Sequence, residues 1–121
     1  MDETRFLTDW YNKNVMRGVE IIGLAFEKKD DFDYASGRVR RMRSIMDVTY
    51  PILIAGNTTS GSVEKALPMI DRLMSYPTTI FLDRNHHVRK IHTGFSGPGT
   101  GEYYDDFIED FNLFINKLLE E

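Results

Sequence analysis

The residues with the clearest chemical potential in this chain are its histidines, its carboxylates and one proline-led motif, and no sulfur nucleophile accompanies them. The sequence contains no cysteine, which excludes disulfides, thiolate metal sites and thiol chemistry within this polypeptide and leaves its redox compartment unreadable. His86 and His87 fall in a predicted hairpin turn and His92 on the strand after it, with no carboxylate partner at ligand spacing, so a solvated turn is expected and no metal. Asp30, Asp31 and Asp33 echo a calcium loop but lack its glycine and distal glutamate, and a charged loop with helix capping accounts for them. Gly97-Pro98-Gly99-Thr100-Gly101 precedes a helix as a phosphate cradle would, yet Glu102, Asp105 and Asp106 would repel an anion there. The remaining motif is Tyr76-Pro77-Thr78-Thr79-Ile80-Phe81-Leu82-Asp83. Pro77 cannot donate to a ladder, so it must stand where loop becomes strand.

The elements that would carry these residues follow from periodicity. Phe6, Leu7, Trp10, Tyr11 and Val15 recur at helical spacing, with Asp2 and Glu3 in the first turn and Gly18 as a stop. Met1 already lies in the helical pattern with no N-cap before it, so the chain is expected to begin in mid-element. Val19 to Phe26 is apolar and β-branched, as in a parallel strand buried on both faces. Asp33 or Ser36 could cap a helix running through Val48 that buries Val39, Met42, Ile45 and Met46. Pro51 to Gly56 is a short strand, Asn57 to Gly61 a turn-forming loop, and Val63 to about Leu73 a helix that Pro68 breaks or kinks. Thr78 to Asp83 and Val88 to Thr93 form an antiparallel hairpin. Glu102 to Leu119 places Tyr103, Phe107, Phe111, Phe114 or Ile115, and Leu118 on one helical face.

Composition narrows the classes. At 121 residues and 41% hydrophobic content, residues 1–121 are expected to form one domain with a core of its own. A net charge of -4 gives no general attraction to nucleic acid or anionic membrane, and Arg38, Arg40, Arg41 and Arg43 spread around their helix rather than forming a stripe. No apolar run approaches the roughly 20 residues that span a bilayer, and the N-terminus is charged rather than signal-like, so a soluble chain is expected.

Helix, Gly18-Val19-Glu20-Ile21-Ile22-Gly23-Leu24 strand, helix, short strand, helix, Pro77-Thr78-Thr79-Ile80-Phe81-Leu82-Asp83 strand, hairpin strand and terminal helix together resemble the TlpA-like thiol-disulfide oxidoreductases over nearly the whole chain. In that family a central strand and a Trp-Cys-x-x-Cys motif come immediately before the region matched here. The resemblance implies an α/β, three-layer, thioredoxin-like fold, truncated at its N-terminus, with a mixed sheet, a C-terminal antiparallel hairpin and a terminal helix. It also implies that Tyr76, Pro77 and Thr78 bind an extended substrate beside the cysteines, with a cis bond before Pro77. Glu3 would occupy the acidic position of Cys-x-x-Cys-x-x-Glu and be available for proton transfer if desolvated. Arg5 stands where the family commonly has proline.

The expected function is therefore that of a fragment. The parent protein would exchange disulfides with protein thiols, without a cofactor, in the periplasm or cell envelope, while this cysteine-free chain is redox-inactive. The alternative is a non-catalytic thioredoxin-like module that binds a peptide or protein through the Pro77 loop and its exposed edges. Without the central strand, two apolar strands would keep bare ladder edges, and each buried unpaired backbone group costs about 1–3 kcal/mol. Either the Val19 to Phe26 and Thr78 to Asp83 strands pair directly, or a second copy supplies strands to give an intertwined or edge-paired homodimer.

Overall fold

The computed structural model describes residues 2–27, 32–57, 65–67, 69 and 77–121. Expectations for Met1, for Asp30 and Asp31, for most of the Asn57 to Gly61 loop, for much of the Val63 to Leu73 helix, Pro68 included, and for Tyr76 lie outside the described residues. The chain divides into two compact units, one built on Glu3–Leu73 and the other on Met74–Glu121.

In the first unit, helix α1 spans Asp2–Asn14. Its N-terminal acids complement the positive end of the helix dipole, and Lys13 complements the negative end. Thr8 is buried, and its hydroxyl is satisfied by donating to the Thr4 carbonyl at 2.8 Å. The last turn tightens into a 3-10 turn over Val15–Arg17 and stops at Gly18, whose φ of 87° is a left-handed cap that side-chain-bearing residues rarely adopt.

Strand β1, Gly23–Glu27, pairs in parallel with β2, Ile52–Asn57, through a register of Gly23 to Ile52 and Leu24 to Leu53. Helix α2, Phe32–Met46, connects them. The strand is shorter than the expected Val19 to Phe26. The Gly23 N–H bonds the Pro51 carbonyl at 2.8 Å, and Pro51 has no N–H with which to carry the ladder further back. The expectation of burial on both faces is also corrected: Leu24 and Leu53, side by side in the register, are 41% and 54% exposed. Helix α2 ends at Met46 rather than Val48 because Asp47 turns to a φ of 52°. It buries Ala35, Val39 and Met46, whereas Ile45, expected inside, is exposed. Asp33 sits within the first turn of α2. Met46, Val48 and Tyr50 form the unit's core cluster, with Leu7, Tyr11, Ile21, Met42 and Ile52 packed around it.

In the second unit, β3, Thr78–Leu82, pairs antiparallel with β4, Val88–Thr93. The ladder gains one further bond from the Gly94 N–H to the Pro77 carbonyl at 2.8 Å, so the proline enters it only as an acceptor, as its missing N–H requires. A 3-10 turn over Pro98–Thr100 leads into helix α3, Glu102–Leu119. Phe81 from the hairpin meets Phe111 and Phe114 of α3 edge to face at 5.6 and 5.2 Å, and Phe95 meets Phe107 at 5.0 Å. Such ring pairs add roughly 0.5–1.5 kcal/mol each beyond the area they bury.

The architecture is α/β, with parallel and antiparallel pairings both present. Among the described residues, however, they form two two-stranded sheets, not one mixed sheet. Among the described residues β1 pairs with β2 and β3 with β4. No helix among the described residues is long and apolar enough to cross a membrane.

Candidate functional site

Of the four residues singled out from the sequence, Glu3 belongs to the first unit and Pro77 and Thr78 to the second, while Tyr76, and with it the Tyr76–Pro77 bond, lies outside the described residues. Glu3 stands in the first turn of α1 and is partly buried. It makes no ion pair among the described residues. Burial raises its carboxyl above the usual value of 4.5, against the opposing pull of the N-terminal ammonium. Desolvation penalises the charged form, which is the condition a carboxyl needs to hold a proton toward neutral pH.

The group nearest in chemistry to Glu3 is one that sequence reasoning passed over. Tyr50 is 4% exposed and forms part of the core. Its phenol is raised above 10.0 first by burial and then by the Glu3 charge, while a hydrogen bond with the Thr4 side chain pulls the other way. Tyr50 is thus neutral at physiological pH. Tyr11, two turns along α1 from Glu3, meets the Tyr50 ring edge to face at 6.1 Å, and its hydroxyl donates to Glu20 at 3.2 Å. The Tyr11–Tyr50 ring pair thus joins α1 to the segment entering β2.

Pro77 and Thr78 are both partly buried at the head of β3, and Thr78 lies opposite Thr93 in the register. At the other end of the hairpin, the Asp83 carboxylate accepts from the Asn85 and His87 N–H groups at 2.9 and 3.0 Å and from Arg89 at 3.3 Å. Arg89 also binds Glu121, at 2.9 Å through one of its two contacts. The His87 backbone bond, then those of Asn85 and Arg89, hold Asp83 below its usual range despite partial desolvation. This fork ties the turn to the chain end and is structural in character. The histidines do not converge: His92 lies against the Phe107 ring at 5.4 Å, and His87 stays at the turn, 3.9 Å from Asp83.

A cleft of about 200 Å³ in the second unit runs between β4 and α3, floored by Phe81, Phe107 and Phe111. The Lys90 ammonium occupies one side of it, 5.1 Å from the Phe114 centroid and 5.9 Å from that of Phe81. This cation over two rings is favourable packing. An inward lysine of this kind also shields an edge strand from further pairing, so the cleft reads as part of the hairpin's construction.

Compared with models of known protein families the chain matches none, and no curated protein matches it.

Proposed function

We propose that the chain is the C-terminal portion of a TlpA-like thiol-disulfide oxidoreductase of thioredoxin-like fold, inactive without its cysteines. The supporting observation is the order and pairing of the elements: a helix, a parallel β-α-β unit, a proline-led antiparallel hairpin and a terminal amphipathic helix. The open state of β1 is consistent with this reading. A two-stranded parallel sheet is unusual because parallel strands ordinarily sit inside larger sheets with both faces covered, and β1 has a second edge without a ladder partner among the described residues. In the complete domain the central strand would take that edge. The thiolate would sit at the start of the α1 helix, where the dipole favours negative sulfur, and Glu3 would exchange protons with it. Tyr76, Pro77 and Thr78 would align the substrate backbone, the partner being a protein thiol or disulfide. The parent would work in the periplasm or cell envelope.

The test is the coding sequence upstream of Met1, followed by a disulfide-reduction assay on the longer chain. An in-frame Trp-Cys-x-x-Cys and turnover that disappears when either cysteine becomes serine are expected. An in-frame stop with a start signal at Met1, or a longer chain with both cysteines and no turnover, overturns the reading.

A second reading has one observation in its favour. Leu24 and Leu53, paired in the β1–β2 register, and Ile22 just before β1 are exposed, which suits a binding module without redox chemistry or a homodimer joined through strand edges. Light scattering separates these cases from the first: a stable dimer at micromolar concentration supports edge pairing between copies, and a monomer removes it.

A further inference from the structure

We propose that the cleft between β4 and α3 receives an arginine side chain of a partner protein, at the end lined by Tyr103 and Asp106. The proposal goes beyond the redox reading and stands without it. Ring contacts order the cleft along its length. Lys90 lies against Phe114 and Phe81, His92 against Phe107, and Phe95 against Phe107 and Tyr104. β4 therefore runs opposite to α3, with Lys90 at one end of the cleft and Ser96 and Tyr103 at the other. Phe114, where the Lys90 ammonium rests, stands two turns beyond Asp106, about 12 Å along a helix. That exceeds the roughly 8 Å over which exposed charges act on one another at physiological salt. The Lys90 charge thus leaves the Asp106 end largely uncompensated.

Packing of the hairpin explains Lys90 but not that far end. Tyr103 continues the aromatic stripe of Phe107 and Phe111, yet it is 68% exposed. Asp106 and Asp110 are exposed one helical turn apart on the same wall, and neither side chain makes a hydrogen bond or ion pair among the described residues. The helix dipole does not account for them, because Glu102 and Asp105 already stand in the first turn of α3. Carboxylates beside open ring faces suit a cation that is also flat. A guanidinium meets both demands, since it stacks on rings and pairs with a carboxylate through two N–H groups at once. Lys90 itself demonstrates that the ring floor accepts a cation, its ammonium lying 5.9 Å from the Phe81 centroid. Size selects a side chain over a free molecule. A cleft of about 200 Å³ falls below the roughly 300–1,000 Å³ of sites that enclose small ligands, but it takes one side chain whose backbone stays outside. Residues 102–110 hold five acids and no base, a field that draws a basic segment to this face.

The experiment is an amide NMR titration of the 121-residue chain with N-acetyl-arginine methylamide, whose only charge is the guanidinium. The Tyr103, Asp106, Phe107 and Asp110 amides should shift together and saturate at millimolar concentration. The citrulline analogue, which has the same shape without the charge, should bind at least about tenfold more weakly. Asp106→Asn should weaken arginine binding about threefold or more, and Asp106→Asn combined with Asp110→Asn about tenfold or more. Glu109→Gln removes the same charge from a residue that does not line the cleft and should change binding by less than about twofold. Lys90→Met keeps an apolar stem over Phe81 and should leave binding unchanged or tighter. The proposal is overturned by the absence of a saturating shift, by equal binding of the arginine and citrulline analogues, or by an unchanged response in the doubly substituted chain. A loss in Glu109→Gln as large as that in Asp106→Asn overturns it too, by reducing it to general attraction toward an acidic helix. So does loss of binding in Lys90→Met, which would place the ligand at the opposite end. The comparison of the two analogues needs no substitution, so it decides the matter even if a variant fails to fold.

Discussion

Glu3 in the first unit and Asp83 in the second are both carboxyls close to a helix end or turn, yet their proton affinities move in opposite directions. Glu3 is partly buried, has no ion pair among the described residues, and is raised. Asp83 has a side chain only 12% exposed but accepts two backbone N–H groups and an arginine, and is lowered. Burial alone therefore does not set the sign. What matters is whether the groups that displace water are donors or hydrocarbon. The first unit surrounds its carboxyl with packing, as a site that holds a proton requires. The second uses its carboxyl to fasten a turn.

The largest effect should come from opening the core of the first unit. Tyr50→Ala deletes a ring from the centre of the Met46, Val48 and Tyr50 cluster and should cost about 3–5 kcal/mol, measured by urea denaturation. A loss below about 1 kcal/mol would mean that the ring is not buried as described. Next comes Gly23→Val. A Cβ at Gly23 would stand 3.2 Å from an Ile52 carbon and 3.3 Å from the Tyr50 ring, and crowding of this kind costs about 1–3 kcal/mol. Unchanged stability in that variant would show that β1 and the Tyr50 segment can move apart freely.

A smaller effect is expected at the fork of the second unit, where Arg89→Gln removes the cation shared by Asp83 and Glu121. Glu121 owes its lowering first to Arg89, whereas Asp83 owes its own first to the His87 backbone N–H. By NMR titration, Glu121 should return almost to its ordinary value and Asp83 only part of the way. A larger rise at Asp83 than at Glu121 would reverse that ranking of causes. The contribution of both carboxylates to stability is present above their unfolded values, 3.8 for Asp83 and 4.5 for Glu121. It is lost as pH falls through the lowered folded values. Arg89→Gln should accordingly flatten the acid limb of the stability curve.

The second unit was the more legible from sequence, because its signals are local. Val88 to Thr93 and Glu102 to Leu119 are bounded by a polar turn and a glycine-rich loop, and the structure places both elements at those residues. The first unit depends on contacts between distant segments. The length of β1 is set by Pro51 on its partner strand, and the exposure of Leu24 and Leu53 by what lies over the sheet. Ile45 fits a helical stripe but falls on its solvent side. At the candidate site, Glu3 could be marked by its position in the first helical turn. The burial of Tyr50 could not, since nothing local announces that the α1 face and the β2 entry meet there.

Glu3→Gln is the mildest way to probe the contrast, because it keeps shape and removes only the titration. Ionising Glu3 costs more in the fold than in the unfolded chain, so its folded carboxyl is the more strongly protonated. Its contribution to stability is therefore complete below the ordinary value of 4.5 and is lost as pH rises through the raised folded value. Glutamine carries no such loss. The thermal midpoints of the two chains should nearly coincide near pH 3, and Glu3→Gln should become the more stable as pH rises toward 7. The helix dipole opposes this trend, since a first-turn carboxylate gains about 0.3–1 kcal/mol from it. If the unsubstituted chain is the more stable at pH 7, the dipole outweighs burial, and Glu3 is an ordinary helix-start acid with no special hold on its proton.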